Sequence, residues 1–382
     1  MELIFNTASL KELCKTLSAN KFVAVDLEFV REKTYYPIPC LIQVASKDVA
    51  AIIDPMAPDL DLEDFFQIMQ NKKIVKVFHS CRQDIEILFR MSHKIPTPIF
   101  DTQVAAMVCG FGESISYERL VKSMLNVELD KSECLSNWQL RPLNEKQLEY
   151  ACGDVTHLVN LYQALTKLLK KTGRESWIKE EMEFYSNPQT YEVNPYEAWQ
   201  RIRFKSHSAK ALSNLKALAA WREQRAQRKN TPRPSIVKDD ILAMIAANSP
   251  VNLDELSKIR GIRQDVAKGK LAEEILAVLA GVVVDKSLVK SIEKEEIKAP
   301  SALVEMLKLL LKIVSQEQGV VARLIASDTD ILKLAAFMDE DNPVLQGWRN
   351  EIFGQKALDL REGKTAIVYN PKKKKIEFKP FA

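Results

Sequence analysis

The hydrophobic rhythm of this chain changes character near Gly173. Before it, apolar runs rich in β-branched and aromatic residues at Phe22–Phe29, Leu41–Ala45, Val49–Ile53 and Ile74–Phe78 predict strands. Apolar residues at three- and four-residue spacing over Leu60–Met69 and Asp84–Arg90 predict helices between them. Such interleaving implies a sheet flanked by helices. A long helix is expected to start at Asn144, which has capping-box spacing to Gln147. It would end at Gly173, a C-cap glycine after Lys170 and Lys171. Beyond Gly173 the strand patterns cease. Ser186–Pro195 is polar and proline-bearing and reads as a linker. From Tyr196 to Val284 the pattern is helical, broken at Asn230–Ser235 and Asn248–Pro250. Lys294–Pro300 reads as a second linker, further helix runs to Gly363, and Thr365–Phe378 has a hairpin pattern around Asn370–Lys375.

Composition narrows the class. A chain of 382 residues exceeds one ordinary domain, and 46% hydrophobic content supports real cores. The net charge of +4 does not mark the whole chain as a nucleic-acid binder, so any such surface must be local. The N-terminus lacks the basic, apolar, small-residue order of a signal peptide. The longest apolar run, Ile275 to Val284, falls short of the roughly 20 residues that cross a bilayer. Six scattered cysteines without a CxxC pair argue against a zinc site or disulfide framework and fit a reducing cytoplasm.

Candidate chemistry lies in three places. Phe22–Phe29 reads FVAVDLEF, and alternation puts Asp26 and Glu28 on one face of the strand. An arbitrary D-x-E more often lies on an edge strand with its acids in water. The apolar flanks weaken that reading here, and a divalent cation is the natural compensation for two acids inside a sheet. Asp84 falls in the first turn of the helix after Ile74–Phe78, where an acid commonly complements the helix dipole, with Glu86 a nearby competitor. Tyr150 and Asp154, four apart, share a face of the long helix. A phenol beside a carboxylate can orient a metal-held water, although a half-buried packing aromatic is the more common role. Gly153 costs about 1 kcal/mol in a helix interior and either admits a close approach or is tolerated slack. His79 and His93 lack a paired nucleophile and suit packing or loop roles. Cys81 and Cys152 read as small buried hydrophobes, and Trp138 and Arg141 as residues closing the core.

Asp26-x-Glu28, then Asp84 after a strand, then Tyr150-xxx-Asp154 on a helix is the motif order of the DEDD exonucleases, tyrosine subtype. Position 149, where the histidine subtype would place His, is Glu. DLEFVREKTYYP (Asp26–Pro37), LIQVA (Leu41–Ala45), the stretch around Phe100–Thr102 and the text from Leu129 to Val155 resemble the ribonuclease D family. Leu212–Leu279, with LKALAAWREQRA, PRPSIVKDDIL and DELSKIRGI, resembles the helicase-and-ribonuclease-D C-terminal (HRDC) domain. Ala302 to Val368, with GWRNEIFG, resembles a divergent second copy.

The resemblance implies a ribonuclease H-like α/β exonuclease domain, a mixed sheet flanked by helices, over 1–175. A linker and connecting helix over 176–207, HRDC domains over 208–286 and 300–370, and a tail over 371–382 would follow. It implies a 3′→5′ exoribonuclease using two Mg²⁺ or Mn²⁺ ions roughly 4 Å apart. Asp26, Glu28 and Asp154 would hold one ion, Asp26 and Asp84 the other, and Tyr150 would orient or deprotonate the nucleophile. The expected substrate is RNA with a free 3′ end, precursor tRNA in particular, acted on by a cytoplasmic monomer. A DNA exonuclease and a non-catalytic RNA-binding protein are the alternatives. A basic string that includes Arg201, Arg203, Lys205, Arg222, Arg225 and Arg228, with Phe204 and Trp221 interleaved, is the candidate RNA surface, against a solvated helix face.

Overall fold

Alternation in the first half resolves into six strands: β1 (Glu2–Ile4), β2 (Phe22–Val30), β3 (Ile38–Ala45), β4 (Ala50–Ile53), β5 (Val75–Phe78) and β6 (Ile99–Asp101), ordered β1-β4-β3-β2-β5-β6. The sheet is mixed: β4 runs parallel to β1 and antiparallel to β3, and β5 runs parallel to β2 and β6. β1 and β6 lie at its two edges and are three residues long, too short to show a period. The computed structural model describes residues 2–130, 132–134, 136–206, 208–292 and 297–381. The expected linker at Lys294–Pro300 therefore lies partly outside the described residues, as do Lys131 and Leu135 of the Leu129–Val155 text.

Seven helices accompany the sheet: α1 (Thr7–Ser18), α2 (Glu63–Gln70), α3 (Arg82–Ser92), α4 (Thr102–Val108), α5 (Tyr117–Leu125), α6 (Glu145–Thr172) and α7 (Glu175–Tyr185). α6 begins and ends where the local signals put it. The Asn144 side chain accepts from Gln147 N, and Gln147 Oε1 accepts from Asn144 N, at 2.8 and 3.0 Å. Gly173 closes the helix in the left-handed region. The box sets the phase of α6 one and a half turns before Tyr150, which decides the side on which Tyr150 and Asp154 emerge.

By contact the chain divides into two compact units: 1–28, 39–190 and 297–382 form one, and 29–38 with 191–296 the other. In the first unit, the C-terminal turn Gly347–Arg349 packs against α7, Arg174 donates to the Gln318 carbonyl at the end of helix Ser301–Gln318, and Val321 N–H donates to the Met107 carbonyl of α4. Trp348 stacks on Trp177, with ring centroids 4.5 Å apart and planes 14° from parallel. Its indole N–H donates to Glu181 at 3.1 Å, and Arg349 pairs with the same carboxylate at 2.7 Å. Gly110, at φ +84°, lies so close to the carbonyl of Gly319 that a Cβ would stand 2.4 Å from that oxygen. Trp348→Ala should therefore cost about 3–5 kcal/mol. Thermal unfolding would register it as a clear fall in Tm, and an unchanged Tm would show the stack to be dispensable.

The second unit is built on α8 (Ala209–Lys229), whose Leu212, Leu215, Leu218 and Ala219 are buried with Leu242, Ile245, Leu256 and Ile275. Tyr35, from 29–38, enters the same core. Its hydroxyl donates to Glu223, and the Arg233 guanidinium lies 4.8 Å over its ring while forking onto Glu223. The C-terminal strands β7 (Thr365–Asn370) and β8 (Lys375–Pro380) form the expected hairpin.

Candidate active site

The acids converge at the C-terminal ends of the parallel strands, the usual place for a ligand in an open α/β sheet. β2 presents Asp26 and Glu28 on one face. α6, at a four-residue step, presents Tyr150, Asp154 and Leu158. All five line one cavity of about 210 Å³, with His79, Tyr117, Glu118, Leu129 and Asp130. Carboxylate oxygens of Asp26, Glu28 and Asp154 lie within 4.8 Å of one another. Asp84 is buried in the first turn of α3, outside that cluster but under the influence of Asp26.

Several residues to which the sequence assigned no role in the site hold this geometry. Asp101, at the end of β6 and buried, accepts from the backbone N–H of Ser80, Cys81, Gln103 and Val104 at 2.7–3.3 Å. It thereby ties the turn that launches α3, and so Asp84, to the start of α4. An Asp between a strand and a helical run is a readable N-cap signal. The Tyr117 hydroxyl donates to the backbone carbonyl of Asp154. His79 sits between the Thr102 hydroxyl (3.0 Å) and the Ile115 carbonyl (3.1 Å), edge-on to Tyr117. It thereby forms part of the wall of the cavity. His93 is an exposed left-handed C-cap of α3. A Cβ on Gly153 would meet nothing within 4 Å, so no protein atom requires that glycine.

The basic string divides. Arg222 is buried, donating to the Val237 carbonyl at 2.7 Å and pairing with Asp239 at 2.6 Å. Arg225 is committed to Glu274 at 2.7 Å. The reading of these two as phosphate contacts is therefore corrected: Arg222 faces the helical core and Arg225 is held in an ion pair with Glu274. Arg201, Arg203, Lys205 and Arg228 remain exposed.

Burial first, and the neighbouring Asp26 carboxylate second, push the Glu28 and Asp154 carboxyls up to about 9 and about 8, with Asp154 adding to the shift of Glu28. Burial pushes Asp26 to about 6, and holds Asp84 well above its ordinary value with the help of Asp26, Asp101 and Glu28. Burial, then Asp154, Glu28 and Asp26, also raises the Tyr150 phenol. Among the described residues, no lysine or arginine lines the cavity to offset these acids. A cluster of hard oxygen donors with no cationic side chain among them suits a divalent ion. Because these carboxyl values exceed those of an unfolded chain, the metal-free fold binds more protons than the unfolded chain, and its stability falls as pH rises between about 4 and 9. Thermal unfolding of metal-free protein should show Tm falling from pH 5.5 to 8.5, with added Mg²⁺ raising it more at pH 8.5. Asp154→Asn should flatten both trends. A cation response equal at the two pH values would count against the cluster as the site.

Residues 1–170 match the 3′–5′ exonuclease family and residues 211–279 the HRDC domain. Ribonuclease D of Sphingobium indicum is 43% identical over 371 residues, 96% of each chain, and ribonuclease D of Nitrobacter hamburgensis 42% identical over 370, 96% and 97% of the two chains. The crystal structure of Escherichia coli RNase D, described as an exoribonuclease involved in structured RNA processing, superposes with a TM-score of 0.79 at 26% identity. The match covers 94% of this chain and 98% of that one. The catalytic core of RRP6 from Trypanosoma brucei shares the fold at a TM-score of 0.56 and 20% identity, over 73% of this chain and 78% of that one.

Proposed function

This chain belongs to the ribonuclease D family of 3′–5′ exoribonucleases, and on that premise we propose that Asp26, Glu28, Asp84, Tyr150 and Asp154 carry out its reaction. The observation that supports this most is the meeting of three carboxylates and a phenol in one cavity. Divalent metal ions, when bound in such a site, lower the pKa of an attached water and stabilise charge on the leaving oxygen. Asp26, Glu28 and Asp154 would hold one ion; Asp26 and Asp84 would support a second. Mg²⁺ and Mn²⁺ are the ions such carboxylates favour. Tyr150 would orient the attacking water by its hydroxyl, and Trp138 behind it would limit its swing. The product is a 5′-mononucleotide, released one at a time.

The substrate we propose is precursor tRNA and other structured RNA with a free 3′ end, met as a monomer in the cytoplasm. No described helix is long and apolar enough to cross a membrane, and all six cysteines are unpaired. Matched RNA and DNA oligonucleotides labelled at the 5′ end, incubated with Mg²⁺ or Mn²⁺, test the reading. A ladder on RNA alone is expected. A ladder on DNA with none on RNA would assign the chain to DNA ends, equal ladders on both would remove the selection for RNA, and no ladder with either ion would remove the catalytic reading.

The exposed cations of the helical unit are the proposed contacts to the body of the RNA. Replacing Arg201, Arg203 and Lys205 together by Gln should weaken binding and flatten its salt dependence by roughly 0.7 in log–log slope per lost contact. Turnover at saturation should hold. Titrations at several salt concentrations that give identical slopes would make this a solvated face.

A further inference from the structure

Arg141 lies at the surface, its side chain 28% exposed, yet every one of its donors is committed. Nε and Nη2 fork onto Asp54 at 2.6 and 2.8 Å. The second Nη2 hydrogen goes to the Cys40 carbonyl at 2.9 Å, and Nη1 donates to the carbonyls of Trp138 at 2.7 Å and Leu140 at 2.9 Å. A guanidinium has five N–H groups, and five bonds use them all. Asp54 is itself fixed: it is buried at the end of β4, its Oδ1 accepts from Met56 N at 3.0 Å, and its own N–H donates to the Ile4 carbonyl. The fork thus fastens the segment before α6 to the rigid end of β3 and β4. Trp138, at 3% exposure, is the residue this segment inserts, and its ring lies 6.0 Å from that of Tyr150 at 36°. The pair is within aromatic contact range.

We infer that Arg141, with Asp54, is a positioning residue for Tyr150, acting through Trp138. The inference rests on the catalytic reading of Tyr150. A solvent-facing arginine ordinarily contributes little to stability. Three bonds that fasten Arg141 to Asp54 and Cys40, and two that hold the Trp138 and Leu140 carbonyls to the same guanidinium, have a narrower effect: they set where Trp138 sits, and hence where the Tyr150 hydroxyl points. Displacement of a catalytic group by about 1 Å can cost 10²-fold in rate. Lysine keeps the charge but cannot fork, so Arg141→Lys isolates the geometry from the electrostatics.

The test is a double-mutant cycle in the full chain, read on a 5′-labelled RNA oligonucleotide with Mn²⁺. Arg141→Lys alone should lower kcat about 10–100-fold, with KM for the oligonucleotide and the half-saturating Mn²⁺ concentration changed less than about twofold. In the Tyr150→Phe background the same substitution should cost less than about twofold more, since the group it positions is gone. Equal losses in both backgrounds would show that Arg141 acts elsewhere, and an unchanged kcat in folded Arg141→Lys would end the proposal. Should Arg141→Lys not fold, Asp54→Asn removes half of the fork and must show the same dependence on Tyr150. Tyr150→Phe by itself reports on the premise: full activity there removes the catalytic reading of the tyrosine, whatever Arg141 does.

Discussion

Asp26→Asn and Asp154→Asn are each expected to lower turnover by a factor of about 10³ or more, some 4 kcal/mol of transition-state stabilisation. The amide keeps the volume of the carboxyl and loses the anionic oxygen. Asp26 and Asp154 stand within 4.8 Å of each other and of Glu28, so either change removes a ligand from the same cluster. The fold should survive, because these carboxyls are uncompensated without a cation. Binding of an RNA oligonucleotide should persist in both variants. Near-wild-type turnover, in preparations free of contaminating nuclease, would overturn the assignment of these acids.

Tyr150→Phe should slow hydrolysis about 10²–10⁴-fold, with little change in Tm. The ring remains to pack against Trp138, and only the hydroxyl is lost from the cavity. Single-turnover rates at saturating metal separate this from a binding defect. A variant as fast as the parent would make Tyr150 a packing residue, the role its sequence context alone favours.

The basic string that includes Arg201 and Arg228, continued to Arg233, shows how far a charge pattern reads. In sequence it is a row of cations interrupted by one acid. In the structure Glu223 is buried and partners Arg233 and Tyr35, and Arg222 faces the core. Tyr35 lies 188 residues from Glu223, a separation over which no local pattern can announce a partner.

What the sequence determined by itself was local and periodic. Alternation in β2 puts Asp26 and Glu28 on one face, a four-residue step in α6 does the same for Tyr150 and Asp154, and the Asn144–Gln147 box sets the phase of that helix. These follow from strand and helix geometry, which holds wherever the element lies. The tertiary structure alone decided which of these faces meet, because the meeting depends on strand order and on contacts between distant residues. It brought Asp26, Glu28 and Asp154 into one cluster with Asp84 behind it, fixed the turn before Asp84 with Asp101, and placed Trp138 behind Tyr150 under the Arg141 fork. It also turned Arg222 of α8 inward and paired Arg225 with Glu274, since only packing says which side of a helix is the inside.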